Sequence, residues 1–164
     1  MASRNEALSR EAFVARYGGI YEHSPWVAEQ CFDEASEAGT DALVKLFASC
    51  VDAADHDTKM RLIRAHPDLA GRAAVRGELT AESTGEQASA GIDQCTKEEF
   101  EQFVALNSAY KDKFDFPFIM AVKNSNRHDI LAAFRTRIEN DAASEFATAM
   151  REIHKIARWR LEAL

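Results

Sequence analysis

The groups best suited to moving protons cluster in one stretch, His66 to Gln87, which reads HPDLAGRAAVRGELTAESTGEQ. It holds the only His-Pro pair, three of the seven glycines, and a dense run of Ser, Thr, Glu and Gln. Imidazole titrates near neutral pH, and a carboxylate can orient it or grip a substrate hydroxyl. His66 with Glu86 is therefore a candidate acid/base pair. A residue before proline is pushed out of α geometry, so His66 is expected just past a helix end with its ring turned away from that helix. Ser83-Thr84-Gly85-Glu86 fits an S/T-x-x-E capping box, with Ser83 as N-cap, Glu86 third in the helix and Gly91 as its stop. A helix start exposes N–H groups that attract anions and carbonyls, so Ser83, Glu86 and Gln87 could grip a polar small molecule there. The plainer reading is a polar loop with a chance capping motif.

Three features elsewhere could complete a site. Arg160 falls on the apolar stripe of the last helix, whereas Arg158 lies on its polar face beside Arg151, His154 and Glu162. A buried arginine needs an anion, either a structural carboxylate or a planar, electron-rich ligand. The run FDFPFIMAV, residues 114 to 122, is apolar and broken by Pro117. In an all-helical protein its backbone groups must find side chains, water or a ligand. Asn107 interrupts an aromatic helix face, and its amide is expected to tether a neighbouring loop. A metal reading can also be drawn, from His56, His66 and the pair His128-Asp129. It is disfavoured, because Asp129 in a first helical turn is explained by the helix dipole.

The elements that must position these groups are helices. No alternating Val/Ile/Thr run suggests a strand, and Pro occurs only at 25, 67 and 117. The expectation is an all-α, single-domain bundle of seven to nine helices. The first starts near Glu6, with Leu8, Phe13 and Val14 inward. The second opens at Ser24-Pro25 and ends at Gly39, and a third runs from Asp41 to Ala54. A short one from Thr58 delivers the chain to His66. Thr96-x-x-Glu99 boxes the start of a helix to Phe114, with Phe100, Phe103, Asn107, Tyr110 and Phe114 inward. Another covers Arg127 to Asn140, with Ile130, Leu131, Phe134 and Ile138 inward. Asp141 or Ser144 caps the last, whose stripe is Phe146, Met150, Ile153, Ala157 and Leu164.

The chain has 164 residues, 46% hydrophobic and 29% charged, enough for a substantial core. A net charge of −7 argues against a phosphate-backbone binder, so no nucleic-acid partner is expected. Cys31, Cys50 and Cys95 form no CxxC pair, which points to reduced thiols and a cytoplasmic setting. The first residues, MASRNEALSR, lack a signal-peptide core, no apolar run reaches membrane-spanning length, and the C-terminus is no peroxisomal address. No membrane partner is expected.

Five blocks in order and spacing carry a family likeness: His66-Pro67-Asp68-Leu69-Ala70-Gly71; Ser83-Thr84-Gly85-Glu86-Gln87; Leu106-Asn107-Ser108-Ala109-Tyr110; Phe114-Asp115-Phe116-Pro117-Phe118-Ile119; and Glu152-Ile153 with Ile156-Ala157-Arg158-Trp159-Arg160-Leu161. From about residue 10 to the end the sequence resembles the 2-oxo-4-hydroxy-4-carboxy-5-ureidoimidazoline (OHCU) decarboxylases of uric acid degradation. Asp115 stands where that family more often has Gly, a departure not expected to touch the chemistry.

The resemblance implies an all-helical, cofactor-free carboxy-lyase, usually a homodimer, that converts OHCU to (S)-allantoin and CO2. It implies His66 as catalytic acid/base, with Glu86 and Arg160 as catalytic partners. Pro67, Ser83, Thr84, Gly85, Glu86 and Gln87 would bind substrate, together with Arg160 and the backbone of Phe118, Ile119, Met120, Ala121 and Val122. No metal is implied. The competing readings are a non-catalytic helical interaction domain and the His/Asp metallohydrolase.

Overall fold

Short polar side chains that take up unpaired backbone N–H groups set most of the helix starts. The computed structural model describes residues 8–35, 38–70 and 79–164. Among the described residues there is no strand, and the helices are α1 (Arg10–Tyr17), α2 (Trp26–Ala35), α3 (Thr40–Asp52), α4 (His56–Ala65), α5 (Ala81–Ser89), α6 (Lys97–Phe114), α7 (Arg127–Arg137) and α8 (Ala142–Glu162). A 3-10 turn, Ile92–Gln94, joins α5 to α6. The expected all-α class is what these residues form. The expected start at Glu6, and Gly71 of the first family block, lie outside the described residues.

The caps follow their chemistry. Thr96 and Glu99 form the reciprocal box at the start of α6. Asp141 caps α8 by accepting from Ser144 N at 2.7 Å. Asp129 reaches back to the Asn126 amide in a second capping box, which accounts for its place in the first turn of α7. Asp115 ends α6 in the left-handed region, at φ +62°. That explains why Gly suits the position, and Asp is among the few other residues that tolerate it. Ser24 differs from expectation. Its hydroxyl donates to the Glu22 carbonyl instead of capping, and α2 opens at Trp26.

The chain divides into two compact units, one of residues 1–62 with 154–164 and the other of residues 63–153. In the first, α1, α2 and α3 pack through an aromatic group in which Phe13 lies 4.7 Å from Tyr17 and edge-on to Phe32 and Phe47. Leu8, expected inward, is exposed. Cys31 is buried, and burial pushes its thiol up to about 12. His154, expected on the solvent face, has Nδ1 at 2.8 Å from the Tyr21 hydroxyl and Nε2 at 2.9 Å from Asp52. Leu164 leaves the α8 stripe because the helix ends at Glu162, and it is exposed.

In the second unit the inward face of α6 carries Phe103, Asn107, Tyr110 and Phe114, all buried. Phe118 stacks on Phe134 of α7, with centroids 3.7 Å apart. Ile138, expected inward, is half-buried, and so is Arg137, three residues past Phe134, whose side chain is 12% exposed. No described helix is long and apolar enough to cross a membrane.

Candidate active site

His66 follows the last residue of α4, and its N–H donates to the Ile63 carbonyl at 3.2 Å. It is buried, and so are Leu69 and Ala70 of the loop beyond Pro67. Side chains from α5 and α6 grip that loop at three successive residues. Gln87 Nε2 donates to the Asp68 carbonyl at 3.3 Å, and Gln87 Oε1 accepts from Ala70 N at 3.1 Å. Asn107 Nδ2 donates to the Leu69 carbonyl at 2.9 Å. Lys111 Nζ holds the Asp68 carboxylate at 2.6 Å. Ala70 sits at φ +53°, a left-handed conformation that costs a non-glycine residue about 1–2 kcal/mol. The Gln87 bond to its N–H helps to hold it there. Asn107 thus tethers a loop, as its position on an aromatic face suggested.

The helix carrying Glu86 starts earlier than the capping motif implies. Thr80 is the N-cap of α5, and its hydroxyl accepts from Ser83 N at 3.2 Å. Ser83 is therefore not the cap but the third residue of the helix, and Glu86 lies in its interior. The reason is burial. Starting at Thr80 puts Ser83 and Gln87, four residues apart, on the inner face together with Ala90. Glu86 is half-buried at the edge of that face, whereas Thr84 and Gly85 are exposed. The exposed N–H groups of the helix start are thus one turn away from Glu86 and Gln87.

The segment after α6 has no ladder to join, and side chains take up its backbone groups. The Ile119 carbonyl accepts from Arg137 Nη1 at 2.6 Å, and Ala121 N donates to Glu152 Oε1 at 3.4 Å. Arg137 also lies over the Phe118 ring, 4.3 Å from its centroid. Behind it sits Glu145, fully buried, accepting from Arg137 Nε at 2.8 Å, the Tyr110 hydroxyl at 2.6 Å and Asn140 Nδ2 at 3.1 Å. Burial, followed by the bond to Glu145, pushes the Tyr110 hydroxyl well above its ordinary range, so it stays a donor. Phe118, Ile119, Ala121 and Val122 are buried, and Met120 is half-buried.

Arg160 belongs to the first unit. Its Nη2 lies 2.8 Å from Glu22 Oε2, and its Nη1 donates to the carbonyls of Gly19 at 3.2 Å and Ile20 at 3.4 Å. Both side chains are buried, at 6% and 1% exposure. The carboxylate that a buried arginine requires is thus supplied from within the chain. In the second unit, a cavity of about 540 Å³ is lined by Ala70, Thr84, Gln87, Ile92, Cys95 and Phe100, among others. It shares Thr84 and Gln87 with the expected site, but neither His66 nor Glu86 lines it. Among the described residues, no three His, Cys, Asp or Glu side chains converge as a metal site would require.

The family model for OHCU decarboxylase matches residues 6–162, a span that takes in both units. The chain belongs to the OHCU decarboxylase family. It is 43% identical over 155 residues to a 2-oxo-4-hydroxy-4-carboxy-5-ureidoimidazoline decarboxylase of Halalkalicoccus jeotgali, covering 94% of this chain and 86% of that one. A protein of the same description from Haloferax volcanii is 41% identical over 154 residues, covering 94% and 89%. Among solved structures, an (S)-allantoin synthase superposes with a TM-score of 0.75 at 33% identity. That likeness covers 95% of this chain and half of the synthase.

Within the family fold, the residues that sequence reasoning missed are supports. Glu22 was not foreseen as the partner of Arg160, although an arginine on a buried stripe demands such a carboxylate. Arg137 and Glu145 carried a comparable signal, each recurring at helical spacing with apolar residues that are buried. Lys111 and Asp68, forty-three residues apart, carried none.

Proposed function

We propose that this protein decarboxylates OHCU to (S)-allantoin and CO2. The observation that carries the reading is the family match along the chain, together with a buried His66 in a loop pinned at three consecutive residues. The substrate can act as its own electron sink. The bond from the ring carbon to the carboxylate breaks and CO2 leaves; its electron pair forms a C=C to the carbon bearing the ureido group, and the C=N pair moves onto the ring nitrogen, which takes up a proton. A proton is then delivered to one face of the carbon bearing the ureido group, and the hydroxyl proton leaves to give the carbonyl. The protein must orient the carboxylate, stabilise the developing enolate-like charge, and control the face of protonation.

In this reading His66 manages the protons and Glu86 grips the substrate hydroxyl. Pro67, Ser83 and the backbone of Phe118 to Val122 contact the substrate ring and ureido group. Arg160 enters as a catalytic and substrate-binding cation on the family resemblance alone. The family likeness also supports a homodimer, and the free thiols of Cys31, Cys50 and Cys95 fit a cytoplasmic setting.

The test is a coupled assay. Urate, urate oxidase and hydroxyisourate hydrolase generate the unstable substrate, and circular dichroism follows the product. Fast build-up of (S)-allantoin is expected, with His66→Ala slower by about a hundredfold or more and still folded. A racemic course at the spontaneous rate with the wild-type protein would overturn the reading.

A further inference from the structure

We propose that Arg137 is a positioning residue for the Met120 N–H, which it aims and strengthens through the peptide unit between Ile119 and Met120. The inference rests on the reading of the Phe118 to Val122 backbone as part of the substrate site.

Residues 117–122 contain no helix, turn or bend, so no regular pattern takes up their backbone groups. Phe118, Ile119, Ala121 and Val122 are buried all the same. Among the described residues, the N–H groups of Phe118, Ile119, Met120 and Val122 find no acceptor. Buried backbone donors are almost always paired, with water or a ligand where protein does not serve. Two backbone groups of the run are held by charged side chains. The Ile119 carbonyl accepts from Arg137 Nη1 at 2.6 Å, and the Ala121 N–H donates to Glu152 Oε1 at 3.4 Å.

A trans peptide unit is planar, and its C=O and N–H point in opposite directions. The Ile119 carbonyl and the Met120 N–H are the two ends of one such unit. A guanidinium fixed on the carbonyl therefore turns the Met120 N–H to the far side. The positive charge also draws electron density toward the carbonyl oxygen, which makes the N–H a stronger donor. Glu152 does the converse at the next unit, where it holds the Ala121 N–H and sends the Met120 carbonyl away. A donor aimed and strengthened in this way suits an oxygen that gains negative charge as CO2 leaves.

The geometry around Glu145 shows that Arg137 is placed for Ile119 and not for the strongest ion pair. A guanidinium binds a carboxylate best through two parallel bonds, one to each oxygen. Here Arg137 Nε reaches Glu145 Oε1, while Oε2 accepts from Asn140 Nδ2. Arg137 Nη2 is buried with no hydrogen-bond partner among the described residues. The second bond is given up, and Nη1 extends to the Ile119 carbonyl instead. The Phe118 ring, 4.3 Å from the guanidinium and itself stacked on Phe134, holds the group in that orientation.

The experiment compares wild type, Arg137→Lys and the double variant Arg137→Met/Glu145→Leu. The double variant removes both buried charges together, so it keeps the fold while the Ile119 carbonyl loses its cation. Arg137→Lys keeps a charge beside Glu145 and gives up the planar fork. Turnover is read in the coupled assay, per folded molecule, with unfolding midpoints measured in parallel. The double variant should lose about tenfold or more in kcat/KM, and Arg137→Lys about threefold or more. A spectroscopic readout reports on the donor itself. With the protein isotope-labelled at its four methionines, the Met120 amide resonance is followed by NMR as (S)-allantoin is added. It should shift in wild type and shift much less in the double variant.

If wild type forms no (S)-allantoin faster than the spontaneous route, the functional reading fails. If turnover is fast but saturating (S)-allantoin leaves the Met120 amide unmoved, the segment is not part of the site and the inference falls with it. If the amide shifts equally in wild type and both variants, and kcat/KM per folded molecule stays within about twofold, Arg137 is a structural tie and only the positioning inference is overturned.

Discussion

Two stretches of the second unit lack regular backbone pairing, and they are held in opposite ways. The loop Pro67–Ala70 is gripped by neutral amides, Asn107 and Gln87, with one ion pair at its edge. The segment Phe116–Val122 is gripped by charge. Arg137 binds its backbone, and the buried Glu145 backs Arg137. Neutral amides cost less to bury than charges do, and they exchange hydrogen bonds with a loop one at a time. A buried ion pair is costly to form and far more costly to halve. The histidine loop should therefore lose aim before it loses stability, and the Phe116–Val122 segment should lose stability first.

The largest expected effect is at Glu145. Glu145→Ala leaves Arg137 buried without its carboxylate and should cost about 3–5 kcal/mol of stability, measured by urea unfolding. The double variant Arg137→Met/Glu145→Leu should recover much of that loss, because it removes both charges together. If Glu145→Ala costs no more than Asn107→Leu, the contrast between the two stretches is void.

A smaller effect is expected at Lys111. Its bond to Asp68 is short, but Lys111 is 46% exposed and the pair is screened by solvent. Lys111→Met should cost less than about 1 kcal/mol and lower kcat by less than Asn107→Leu does. A kcat loss as large as that of Asn107→Leu would move the grip on the loop from the amides to the ion pair.

The smallest effect comes from the helix caps, which calibrate both stretches. The Thr96 amide holds the Glu99 carboxyl below its ordinary range, and the Ser144 amide does the same for Asp141. A lowered folded-state value means that each contributes stability above the unfolded value, near 4, and loses it as pH falls through the folded value. The stability gap between wild type and Glu99→Ala/Asp141→Ala should therefore narrow as pH falls from about 5 to about 3. A constant gap would mean that the carboxylate charge contributes nothing to the caps.

Much of this was legible in the sequence. The Thr96 box, the Asp141 cap and the α6 stripe depend on spacings of three and four residues, which one turn of helix dictates. The tether by Asn107 followed from one polar residue on an aromatic face. The start of α5 did not follow, because Thr80 and Ser83 are both competent caps. Burial of Ser83 and Gln87 on a common face decided between them.

The sequence by itself determined the helices, the family and the residues able to do chemistry, since these rest on local spacing and on residue type. Tertiary structure alone decided what those residues are committed to. It paired Arg160 with Glu22, set Arg137 against Ile119 and Glu145, and closed the Gln87 amide on the loop behind His66. A hydrogen bond joins groups that packing brings together, and nothing in the distance along the chain announces its partner.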